Sequence, residues 1–147
     1  MPSFITLSNP MKKHLFAAAG IALLLGCTDT KKQEKDLLNQ VIAVHDKVMA
    51  NDEQLMKNKM LLDSLVKNNA ANINIDTAKV YLKQVDDADS VMSDWMHKFD
   101  AENKGKSHQE IMDYLEGQKK LISKIDTQIN VAVAGSTKYI TQIPAKK

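Results

Sequence analysis

Arginine is absent from the 147 residues, cysteine occurs once, at Cys27, and proline stands only at Pro2, Pro10 and Pro144. Without arginine there is no planar fork for bidentate phosphate contacts, so a nucleic-acid partner is not expected. A lone cysteine excludes an internal disulfide and a zinc–thiolate cluster, which leaves packing to hold the fold. No proline lies between Pro10 and Pro144, and no glycine between Cys27 and Lys104. With the two strongest breakers of regular structure missing, long helices are the expected architecture. There is no Gly-rich phosphate loop, no G-x-S-x-G elbow and no H-E-x-x-H pair, so the sequence points away from an enzyme. The apolar run Leu15–Leu25 is too short to cross a membrane comfortably, since a spanning helix needs about 20 residues.

That run has another reading. Lys12, Lys13 and His14 precede it as a basic n-region, and Leu24-Leu25-Gly26-Cys27 closes it. The closing residues resemble a bacterial lipobox. This implies acylation of the Cys27 sulfur, cleavage before Cys27, and a lasting anchor, because two or more acyl chains hold where one is marginal. Met11, followed directly by two lysines, is the more natural start of such a signal than Met1. Residues 1–26 are therefore expected to be a signal, 27–35 a lipidated tether, 36–141 a helical bundle and 142–147 a tail. Lys12 and Lys13 would leave with the signal, so 18 of the 20 lysines would face all 18 acids at zero formal charge.

Apolar spacing of three, four and seven over Leu37, Val41, Val44, Val48, Leu55, Leu62 and Val66 predicts one helix from about Glu34 to Lys67. The asparagines of Asn68-Asn69-Ala70-Ala71-Asn72 then favour a turn. A second helix is expected near Asp76 as N-cap, with Ile75 and Val80 as a hydrophobic staple. Tyr81, Val85, Ala88, Met92, Trp95 and Phe99 form its seam, spaced as in a coiled coil. Ser107 and Glu110 match a capping box for a third helix, which either stops at Gly135-Ser136 or runs towards Ile140. The expected fold is all-α, an up-down-up three-helix bundle. The competing arrangement is an open helical hairpin that self-associates.

The densest run of functional groups is Asp86 to His97. At 100° per residue Asp86, Ser90, Asp94 and His97 fall opposite the Trp95 seam, a solvated face suited to docking a partner. His45, Asp52 and Lys59, spaced by seven, make a polar ladder beside the apolar face of the first helix, with Asn51 and Asn58 near. Soft metal ligands are present in His45, His97, Met92 and Met96, but core packing is the better use of methionine there, and no metal or other cofactor is expected.

The signal MKKHLFAAAGIALLLGC, EKDLLNQVIAVHDKVMA, the block DDADSVMSDWMHKFD and EIMDYLEGQKKLISKIDTQIN together resemble a family of small Bacteroidetes-type lipoproteins. Its members are often labelled "viral A-type inclusion protein". The resemblance implies helices, lipidation and an outer-membrane destination, and carries no activity or site residues. Thr28-Asp29-Thr30-Lys31-Lys32 is not the acidic run that accompanies surface display in that group, so a periplasm-facing position is expected. Its partners would be the membrane, through the acyl chains on Cys27, and an envelope protein or a second copy of itself. Periplasmic binding of a metal or small ligand is the alternative role.

Overall fold

The computed structural model describes residues 17–70 and 73–144, with side chains from 29 onward. These residues are all-α: α1 (Ala17–Met49), α2 (Asp52–Lys67), α3 (Ile75–Lys98) and α4 (His108–Thr141), with no strand among them. Three rods pack together, the first being α1 and α2 in succession. The pairs Gln40–Lys119, Lys47–Asp126 and Asn51–Asn130 all join residues 79 apart, which shows that α4 runs parallel to the first rod. α3 is antiparallel to α4: Tyr81 stacks on Tyr139 near one end, and Trp95 donates to Gln118 near the other.

The expected single helix over Glu34–Lys67 is corrected by a two-residue interruption at Ala50-Asn51. The Asn51 amide turns back to Val48 O, a tighter three-residue step, and Asp52 and Glu53 open α2 with charges suited to a helix N-terminus. The Asn51 side chain makes no cap and donates instead to Asn130. Because the 79-residue offset holds on both sides, the interruption leaves the packing register unchanged.

Other boundaries also move. Residues 28–35, expected as a tether, continue α1, supported by Gln33–Asp29 and Lys32–Asp36 contacts one turn apart. The N-cap of α3 is Asn74, whose Oδ1 accepts from the Thr77 amide, not Asp76. That shift puts Ile73 and Ala78 at the staple positions, where Ile73 packs on the core, and leaves Val80 55% exposed. The Ser107–Glu110 capping box forms as expected. α4 does not stop at Gly135: a Cβ there would lie 3.1 Å from the Tyr81 ring, so glycine admits the close approach of α3.

Val41, Val48, Leu55 and Leu62 from the first rod, Val85 and Met92 from α3, and Ile122, Ile125 and Ile129 from α4 form one core cluster. Each such buried aliphatic side chain contributes about 1.5–3 kcal/mol. The core closes within one chain, so the open hairpin is not the architecture.

Candidate functional site

α3 carries the residues expected to meet a partner, and the structure divides them. Ser90, Asp94 and His97 are exposed on its outer face. Asp94 pairs with Lys98 at 3.3 Å, and His97 Nδ1 lies 2.7 Å from Ser93 O. Asp86 does not share this face freely. Lys59 Nζ reaches across from α2 to within 3.0 Å of Asp86 Oδ1 and 3.0 Å of Asp89 Oδ2. The contact with Asp89 has hydrogen-bond geometry, and Asp86 Oδ1 forms a close ion pair with the same ammonium. The carboxylates, Asp86 first and then Asp89, raise the Lys59 pKa above the ordinary lysine range against the opposing effect of partial burial. A wheel drawn for one helix cannot show that α2 covers that flank.

Two members of the polar ladder on the first rod, Lys59 and His45, meet α3, while Asp52 stands in the first turn of α2. Lys59 makes the bridge just described, and the His45 ring sits 5.8 Å from that of Trp95. His45 Nδ1 is 3.0 Å from Asp46 Oδ1. Of the methionines considered as soft ligands, Met92 is buried in the core and Met96 is 42% exposed, so one helical turn separates opposite environments. Among the described residues, no three His, Cys, Asp or Glu side chains gather as a metal-ligand set.

Two groupings were hidden in the sequence. Asn58 is buried between α2 and α4, donates to Ser136 Oγ at 2.7 Å and Thr137 Oγ1 at 2.8 Å, and accepts from Gln54. At the other end, Trp95, Phe99 and Tyr114 stack in series, and Lys106 Nζ lies 4.4 Å above the Tyr114 ring. Asp100 organises the connection between α3 and α4. Its carboxylate accepts from Lys106 and from the amides of Asn103 and Glu102, which holds its pKa below the usual carboxylate range.

This connection also defines which end of the bundle lies nearest Cys27. His108 Nδ1 is 2.8 Å from Glu34 Oε1. Glu34 follows Cys27 by seven residues of continuous α1, about 10 Å along a helix axis. Residues 1–16 of the expected signal and the last three of the expected tail lie outside the described residues, as does the Cys27 side chain. No described helix is long and apolar enough to cross a membrane. No protein-family model, curated protein or solved structure matches the chain.

Proposed function

We propose that this chain is a lipid-anchored protein of the bacterial cell envelope, held by acyl chains on Cys27, whose helical bundle is a non-enzymatic interaction module. The observation that carries this reading is the outer face of α3. Ser90, Asp94 and His97 are exposed there, with exposed Val91 on one flank and Met96 on the other, after the α3 seam has been buried. Such a surface fits docking to another envelope protein better than chemistry, which needs reacting groups that converge in an enclosed site. The basic n-region and the Leu24-Leu25-Gly26-Cys27 ending support the anchor. The family resemblance supports an outer-membrane destination, and Thr28-Asp29-Thr30-Lys31-Lys32, which is not an acidic run, supports a position facing the periplasm.

In-cell crosslinking of the full lipidated chain, followed by affinity capture and mass spectrometry, tests the docking face. The expected result is one dominant envelope partner linked through Lys83 or Lys98, with the links lost on Asp94→Lys and His97→Ala. Links that persist unchanged in both variants would refute this face, and links only between copies would replace the partner with self-association.

A further inference from the structure

α1 and α3 flank a gap in the half of the bundle nearer Cys27, because their backbones make no close approach there. Soft donors border that gap from both sides. His45 and Met49 stand one helical turn apart on α1, and Met49 is 36% exposed. Met96 follows Asp89 by seven residues on α3, so it shares the flank on which Asp89 receives Lys59 from the first rod. Trp95 meets His45 at this level, the two rings 5.8 Å apart, and closes the inner side of the gap. Met96 is 42% exposed, and neither it nor Met49 belongs to the core cluster, so both thioethers are free of the packing that occupies Met92.

The imidazole is oriented for ligation. His45 Nδ1 lies 3.0 Å from Asp46 Oδ1. A carboxylate accepts, so Nδ1 carries the proton in this bond and the ring's lone pair is left on Nε2. A carboxylate behind the imidazole is the usual outer support of a metal-ligating histidine. One imidazole and two neutral thioethers make a soft donor set without oxygen, which suits Cu(I) and not calcium or magnesium. We propose that His45 Nε2 and the sulfurs of Met49 and Met96 bind one Cu(I) ion across the gap between α1 and α3. Three ligands on a partly exposed gap keep the ion open to exchange with solution. The site needs neither the acyl anchor nor a docked partner, and its failure would leave both of those readings untouched.

The test is anaerobic titration of the full chain in detergent micelles with Cu(I), against bicinchoninate as a coloured competitor. Trp95 is the only tryptophan in the chain, so its fluorescence reads this gap alone. The expected result is one equivalent bound more tightly than about 1 μM, with quenching complete at that equivalent. Met49→Leu and Met96→Leu nearly keep the side-chain volume, and each should weaken binding about ten-fold or more, as should His45→Phe, since even a change behind a metal ligand costs that much. Met60→Leu, at a 62% exposed position on α2 about three turns beyond Met49, should bind like the parent. Far-UV circular dichroism checks that each variant is folded. Unquenched Trp95 fluorescence overturns the proposal, and so does parent-like binding in Met49→Leu and Met96→Leu. Equal weakening in Met60→Leu would overturn it too, because binding would then belong to exposed methionines at large.

Discussion

In the half of the molecule away from Cys27, α2, α3 and α4 enclose Leu55, Leu62, Val85 and Ala132 on all sides. In the half beside Cys27, α1 packs along α4 but meets α3 through side chains such as His45 against Trp95, without close backbone approach. The far half is tight because its facing positions are small: Ala78, Ala88, Ala132, Gly135 and Ser136 let the helices approach. The near half substitutes bulk and polar stitching. Trp95 fills the gap, the α3–α4 connection closes the end, and Glu34–His108, Gln40–Lys119 and Lys47–Asp126 tie the surfaces. Exposed pairs of this kind contribute about 0–1 kcal/mol each, so the burial of Leu55 and Leu62 outweighs them. Both halves keep a buried core, with Val41, Val48, Leu115 and Ile122 in the near one, but the end of the near half is open enough to carry a cleft between α1 and the α3–α4 connection.

The largest expected effect follows directly. Leu62→Ala, at a fully buried site, should cost about 3–5 kcal/mol in urea unfolding, while Leu37→Ala, 8% exposed near the cleft, should cost about 2 kcal/mol or less. Equal losses would mean that the two halves are equally packed. Next is Asn58→Ala, which removes the donor to Ser136 and Thr137 and should cost about 1–3 kcal/mol. The matching change at Asn51, which makes one exposed hydrogen bond to Asn130, should fall within about 0.5 kcal/mol of the parent.

Two glycines of α4 give a smaller contrast. Gly117 has open space where a Cβ would go, so Gly117→Ala should stabilise by about 0.5–1 kcal/mol through helix propensity. At Gly135 the same gain is opposed by the Tyr81 ring, and Gly135→Ala should stabilise less than Gly117→Ala or destabilise. Calorimetric melting of the two variants checks the order.

The smallest effect is a response to acid. The Lys106 contact and the Asn103 amide lower the Asp100 pKa, and the Ser107 hydroxyl and amide lower that of Glu110. A depressed carboxylate pKa contributes stability above its unfolded value and loses it as pH falls through the folded one. Amide protection factors should therefore fall around residues 99–110 before they do in the middle of α3, as the pH drops from about 5 to 3. Simultaneous loosening of both regions would contradict the account.

Much of this architecture was legible in the chain. The proline-free stretch, the Tyr81–Phe99 seam and the Ser107–Glu110 box each act within one element, and each matches the structure. The interruption at Ala50-Asn51 was not legible from apolar spacing, because the packing register passes through it unchanged; only Asn-Asp-Glu, a helix-start sequence, marks it. Gly135 leaves a stop and a continuation equally open until Tyr81 is seen against it, and Asp86 reads as solvated until Lys59 arrives from α2. These misreadings share one cause: a helix considered alone shows which face is polar, but not which neighbour claims it. The cleft near Cys27 was hidden for the same reason, since α1 and the α3–α4 connection meet only in the fold.

The most direct test of the account is the intact mass and N-terminal peptide of the protein isolated from its native membranes. The account predicts a chain that begins at Cys27 and carries a diacylglycerol thioether on its sulfur with an acylated amine. A chain that retains residues upstream of Cys27, with a free thiol there, would contradict it.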